Sequence, residues 1–256
     1  MLLASAAQST AERSFREKTL DLYHRLGRFA DLIFCPLDLP TPPEVPRQAL
    51  VEWVGAARAQ RMTEEERKFT EGASGRYPWS SAYAALRGKW CCGFDAAFPE
   101  LIGYLSSFPT ESWSCVAVLV QEPREAVWLH TDPDPVLGWR VYLGHGGAKV
   151  FFCPTFERHA ERLTSWTPQG MRDWSKYVRT DLRLYPKLPA SSCAWTLNAY
   201  RAAHGVDAHE GEAGERVTLL LIPDLDQLNL DAYLALLERS AAKYASYAIW
   251  YPGTSA

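Results

Sequence analysis

An α+β fold, in which helices flank an antiparallel β-core of jelly-roll type, is predicted by three observations on the 256-residue chain. Helical patterning dominates the first part, short strand signals follow one another from Trp113, and one amphipathic helix comes after them. At least six such strands, punctuated by Gly and Pro, suit a double-sheet jelly roll. Hydrophobic residues make up 47% of the chain, enough for a sizeable core, which excludes disorder over most of its length.

Residues 1–13 are small and polar. Ser14 and Glu17 form a capping-box pattern, and Leu22, Tyr23, Leu26, Phe29, Ala30 and Ile33 lie on one helical stripe behind it. Prolines 36, 40, 42, 43 and 46 end that helix and make an extended connector. Helical signals return at 47–60 and at Thr63–Phe69, where Thr63 and Glu66 make a second capping box. Residues 71–94, rich in Gly, Ser and aromatics, read as irregular, and Phe98–Ser106 as a short helix. Trp113–Gln121, Ala126–His130, Trp139–Gly144, Ala148–Cys153, Cys193–Asn198 and Arg216–Ile222 are the expected strands. Residues 154–190, with Trp166, Trp174, Tyr177 and Tyr185, form a long insertion, for which a lid is one reading. Leu228–Tyr247 is a helix burying Leu230, Tyr233, Leu234 and Leu237. The expected organisation is one domain over 1–256, with a mainly helical part (1–110), a jelly-roll core (111–223) and a C-terminal helix (224–256).

Charge and cysteine usage exclude several classes. The net charge is −3 and no Lys/Arg run forms a phosphate-backbone footprint, so nucleic acid is not an expected partner. The six cysteines make no CxxC pair, which argues against a zinc knuckle. The opening MLLASAAQST lacks the basic region of a secretory signal, and no apolar run approaches a membrane span. A reducing, cytoplasmic location is the expectation. The oligomeric state leaves no mark on the sequence.

The chemistry concentrates in two segments. VWLHTDPDP sets His130 and Asp132 two apart at a strand end, where alternate residues share a face and can reach one metal. Two histidines and one carboxylate make a facial triad, which leaves coordination positions open for a chelating 2-oxoglutarate and for O2 on Fe(II). Alone, His-x-Asp is equally an ordinary turn, since Asp132, Pro133, Asp134 and Pro135 are turn residues. The second histidine comes from SCAWTLNAYRAAHGVDAHEGEAGERVTLLLIP, in which His204 and His209 are both candidates. Arg216 follows on an apolar strand. Pointing inward it is costly without a partner, and its fork matches the free end of a dicarboxylate. Thr218 shares its face and offers a hydroxyl to the same carboxylate. Pointing outward, Arg216 would instead pair with Glu212 or Glu215 on the surface.

Other residues carry weaker signals. Trp128 shares the face of His130 and can wall a pocket, although a strand Trp is more commonly core. Arg140 can face the metal across a jelly roll or remain a strand-edge cation. Trp139, Tyr142 and Asn198 complete the expected substrate pocket. His24, His145 and His159 read as helix-surface or turn residues.

Taken together, these segments resemble the aspartyl/asparaginyl β-hydroxylase-like oxygenases, which include bacterial proline hydroxylases. The resemblance spans roughly Trp113–Pro223. It is carried by His130-Thr131-Asp132, Gly138-Trp139-Arg140-Val141-Tyr142-Leu143, Trp195-x-x-Asn198 leading to His204-Gly205-Val206, and Arg216-Val217-Thr218. It implies a double-stranded β-helix (cupin-like) core. His130, Asp132 and His204 would be the iron ligands, His204 being favoured over His209. Arg216, Thr218 and Arg140 would bind the cosubstrate or a substrate carboxylate. The cofactors it implies are Fe(II), 2-oxoglutarate and O2, and the substrate an amino acid, an amino-acid derivative or a peptide. Because Asp132 fills the position that a halogenase vacates for chloride, hydroxylation or desaturation is implied. Two departures stand out: the 154–190 insertion lengthens the gap between the metal motifs, and Asp207 stands where the family pattern has Asn. A non-catalytic cupin-like binding module and a zinc-dependent hydrolase on the same ligands are the competing readings.

Overall fold

The computed structural model describes residues 17–61, 80–121, 126–131, 138–143, 149–153, 156–167, 170–179, 183–207 and 214–251, with backbone alone at 61, 80, 127–128, 149, 156–167 and 170–179. The helix expected at Thr63–Phe69, Ser14, Asp132, His145, His209 and the side chains of Trp128 and His159 lie outside what is described.

Residues 17–25 form helix α1, which a 3-10 turn at Gly27–Asp31 converts into strand β1, Leu32–Pro36. The expected helix therefore stops short: Ile33 belongs to a strand buried on both faces. An unbroken apolar run has no period, and the extended conformation wins because it places that run inside a sheet. After the prolines, α2 (Arg47–Arg61) buries Leu50, Val54 and Ala57. Residues 71–94, read as irregular, contain β2 (Ser80–Leu86) and β3 (Lys89–Trp90). Two short helices follow, α3 (Phe94–Ala97) and α4 (Pro99–Leu105), the second with proline in its first turn, where no amide hydrogen bond is lost.

The remaining strands are β4 (Trp113–Gln121), β5 (Val127–His130), β6 (Gly138–Tyr142), β7 (Lys149–Cys153), β8 (Phe156–Thr167), β9 (Gly170–Arg179), β10 (Ala194–Leu197), β11 (Ala203–Asp207) and β12 (Arg216–Pro223). Helix α5 (Leu230–Lys243) and β13 (Ile249–Trp250) follow. Asn229 caps α5 by accepting a hydrogen bond from the Ala232 amide at 3.0 Å. The fully buried stripe of α5 is Tyr233, Leu236, Leu237 and Ser240, with Leu230 and Leu234 packed at its margin. The 154–190 stretch is no simple lid: β8 and β9 pair as a long hairpin, and β9 pairs with β5.

Two antiparallel sheets result. The larger has the order β13-β1-β10-β6-β12-β4-β2-β3, and the smaller β7-β11-β5-β9-β8. The part before residue 110, read as mainly helical, thus supplies three strands to the larger sheet, and a fourth lies beyond α5. Between β4 and β12 the chain passes back and forth between the sheets.

The larger sheet is covered on both faces. On one, Val116, Val118, Val120, Trp139, Val141, Val217, Leu219 and Leu221 pack against α2, α4 and α5. Trp139 is the hub of that layer. It is fully buried, with ring centroids 5.2 Å from Phe108, 5.8 Å from Trp113 and 5.1 Å from Tyr233. It is therefore core, not a wall of the substrate pocket. Trp139 pairs with Leu221 and Thr196, and both point to the helices. On the other face, Phe34, Trp195 and Leu197 meet Phe152 of the smaller sheet; the Phe34 and Phe152 rings lie 6.0 Å apart.

Removing the Trp139 ring leaves a cavity among well-packed aromatics. Trp139→Ala is expected to lower unfolding free energy by about 3–5 kcal/mol, read as a shifted midpoint in urea. A loss below about 1 kcal/mol would contradict its place at the hub of this layer.

Candidate metal and anion site

Strand register decides which residues face one another between the sheets. Directly opposed residues in antiparallel strands point to the same side. In the smaller sheet His204 is opposite both His130 and Phe152. Because Phe152 reaches across to Phe34, the two histidines also point toward the larger sheet. The imidazole centroids are 4.3 Å apart, with planes inclined by 45°. The rings are nearly buried, at 7% and 8% exposure. His204 Nδ1 lies 3.4 Å from the Ala202 carbonyl. When Nδ1 carries the proton, the other ring nitrogen has its lone pair free for a metal.

On the facing side of the larger sheet, Phe34 is opposite Leu197, Trp195 is opposite Arg140, Arg140 is opposite Leu220, and Tyr142 is opposite Thr218. Arg216 is two residues before Thr218 and shares its face. Arg140, Tyr142, Arg216 and Thr218 therefore line the side that looks toward His130 and His204. Val217, Leu219 and Leu221, which alternate with them, fill the helix-side core.

Arg216 is buried to 9% exposure, and among the described residues no carboxylate forms a salt bridge with it. Burial pulls its guanidinium down to about 10, Tyr142 acting in the opposite sense and Arg140 in the same one. It remains charged at neutral pH. A guanidinium held this way, beside a hydroxyl and with no acidic partner among the described residues, can take an anion from outside the protein. Tyr142 is half-buried, and burial raises its phenol while Arg216 lowers it. Arg140 folds back along its own strand, donating from Nη1 to the Trp139 carbonyl at 3.2 Å. Gly138 makes room for that: a Cβ there would lie 2.5 Å from Arg140 Nη1.

Asn198 does not line the site. Its Nδ2 donates to the Ala30 carbonyl at 2.9 Å and its Oδ1 accepts from the Arg201 amide at 3.2 Å, so both ends of the amide hold a turn. Two neighbours of the site escaped sequence reasoning. Gln121 is buried opposite Arg216, and its signal is the polar end of an otherwise apolar strand. Phe152 is buried opposite His204; as one of two adjacent phenylalanines it gave no sign of which faced inward.

The donor set fits a divalent transition metal in part. His130 and His204 supply two adjacent, buried imidazoles on one face, as nitrogen ligands require. The carboxylate donor, Asp132, lies outside the described residues, and among the described residues no group of three metal-ligating side chains is assembled. Elsewhere, burial pushes the Cys35 and Cys115 thiols up to about 12, so neither is a nucleophilic thiolate at neutral pH. No helix among the described residues is long and apolar enough to cross a membrane.

No protein-family model and no curated protein matches the chain. Among solved structures, it is similar to a prolyl-4-hydroxylase of Pseudomonas putida, at 12% identity and a TM-score of 0.34, over 79% of this chain and 98% of that one. It is similar to a prolyl hydroxylase of Trichoplax adhaerens in complex with a hypoxia-inducible-factor peptide, at 10% identity and a TM-score of 0.38, over 83% and 93%. A third is an oxidoreductase of the 2OG-Fe(II) oxygenase family from Burkholderia pseudomallei, at 12% identity and a TM-score of 0.34, over 80% and 88%.

A buried cation with no salt-bridge partner, as Arg216 is among the described residues, destabilises the protein that carries it. Arg216→Met is therefore expected to leave the urea midpoint of the ligand-free protein unchanged or to raise it. A loss above about 2 kcal/mol would mean that the guanidinium has an internal counter-charge after all.

Proposed function

We propose that this chain is an Fe(II)- and 2-oxoglutarate-dependent oxygenase on a double-stranded β-helix, hydroxylating an unactivated carbon of an amino acid, an amino-acid derivative or a peptide. The observation that carries the reading is the opposition of two buried, adjacent imidazoles to a buried arginine with no carboxylate partner among the described residues. A metal and a dicarboxylate together answer both halves of that arrangement. The repeated passage of the chain between the two sheets supports the β-helix part.

In this reading His130, Asp132 and His204 hold the iron. When bound, Fe(II) supplies activation of O2, coupled to conversion of 2-oxoglutarate to succinate and CO2. Arg216 grips the far carboxylate of 2-oxoglutarate through its fork, and Thr218 adds a hydroxyl donor. Arg140 offers an anchor for a carboxylate of the substrate, and Tyr142 a wall between the two arginines. The Phe34, Trp195 and Phe152 rings close one side against water, which protects a reactive centre from side reactions. Thiols free at all six cysteines suit the reducing cytoplasm proposed as its location.

The test is succinate formation from 2-oxoglutarate with Fe(II), O2 and a panel of amino acids and peptides. His130→Ala, Asp132→Ala and His204→Ala are each expected to lose about 10²-fold or more, whereas His209→Ala stays within about twofold. Arg216→Met is expected to raise the 2-oxoglutarate KM well above its effect on metal affinity. Absence of both turnover and 2-oxoglutarate binding would sink the oxygenase reading. Ligand binding without turnover would point to a cupin-like binding module, and zinc-dependent hydrolysis to a metallohydrolase.

A further inference from the structure

The turn that joins β10 of the larger sheet to β11 of the smaller one, residues 198–202, is held by a continuous chain of contacts that ends on an imidazole. The Asn198 amide donates to the Ile33 carbonyl at 2.9 Å, and its side chain donates to the Ala30 carbonyl and accepts from the Arg201 amide. Arg201 forms an ion pair with Asp31 and lies over the Tyr251 ring, 4.4 Å from its centroid; the Tyr251 amide in turn donates to the Asp31 carbonyl at 2.8 Å. Inside the turn, the Ala202 amide donates to the Asn198 carbonyl at 3.2 Å. The Ala202 carbonyl is the group 3.4 Å from His204 Nδ1. Asn198 is 2% exposed and Ala202 fully buried, so water does not compete for these groups.

We propose that Asn198 is a positioning residue for His204: by locking the turn to residues 30 and 33, before and within β1, it sets the Ala202 carbonyl that accepts a hydrogen bond from Nδ1–H and aims the other ring nitrogen between the sheets. A carbonyl partner behind a ligating histidine fixes both tautomer and ring orientation. Here that partner belongs to a turn spanning two sheets, so the side chain that fixes the turn also fixes the ring. Asn suits the place because one end must donate to a carbonyl and the other accept from an amide. Asp offers no donor at neutral pH, and Ala offers neither function. The value of this positioning to a metal rests on the oxygenase reading; the tautomer itself does not.

The experiment separates the two. Long-range proton–nitrogen spectra of the full-length, metal-free protein, with the His204 signals assigned through His204→Gln, report which ring nitrogen carries the proton. The wild type is expected to show the Nδ1–H form at His204. Asn198→Ala is expected to shift it toward the other tautomer or a mixture and to weaken Co(II) binding, followed by visible absorption, about 10–100-fold. Leu236→Ala, on the helix side of the larger sheet, lowers stability but should keep both the tautomer and the Co(II) affinity. Asn198→Ser gives the same readings where the alanine variant does not fold. An Nε2–H wild type, or a tautomer untouched by change at 198, overturns the proposal. A shifted tautomer in a protein that binds no Co(II) upholds the positioning and overturns the metal reading instead.

Discussion

A strand buried on both faces must sort its side chains between two environments, and β12 does so at the centre of the larger sheet. Val217, Leu219 and Leu221 go to the helix layer, where they sit in the same cluster as Trp139 and Tyr233. Arg216 and Thr218 are then committed to the opposite face by the period of two, whatever that costs. A slip of one residue would drive the guanidinium into an aromatic core and three apolar side chains into the site. The long registers with β4 and β6 forbid it, since eight residues of β12 are matched to β4 and four to β6. The apolar half of the strand thus holds the charged half in place.

The same logic runs through the smaller sheet, though with less apolar material behind it. Leu129, Phe151, Cys153 and Ala203 form a small cluster on its outer face, and His130, His204 and Phe152 lie on the inner one. The outer face is secured by polar contacts. Arg183 lies over the Phe151 ring and pairs with Asp207, which also accepts from the Tyr185 hydroxyl at 2.7 Å. Asp207, which departs from the family pattern, therefore has its own structural task three residues past His204.

Much of this architecture is legible in the residues, and the failures have identifiable causes. β4, β6 and β12 are rich in β-branched and aromatic residues with turn residues between them, so they read as strands. β1 does not, because Leu32-Ile33-Phe34-Cys35 continues a helical stripe and has no period of its own. β2 is mostly Ser and Ala, which favour strands weakly, and β11 is short and carries Gly205. At the candidate site, His130, His204, Arg140, Tyr142, Arg216 and Thr218 share the inner region. Trp139 does not, and alternation alone excludes it: a residue between Gly138 and Arg140 cannot share their face. Asn198 was noticed for its place in a motif, but its role depends on backbone groups of residues 30 and 33, over 160 positions away, which no local pattern reveals.

The two halves of the site also bear on each other through stability. Arg140, Arg216, His130 and His204 are gathered between the sheets, and among the described residues no acid forms a salt bridge with Arg216. Burial of the Arg216 guanidinium opposes folding, and the aromatic layer on the far side of the same strands offsets it. An anion between the arginines would remove part of that opposition, so binding and folding are linked: a ligand that reaches only the folded state stabilises it by mass action. The cost of burying Arg216 falls on the face that looks toward the histidine pair, so a ligand bound there would act on binding and folding together.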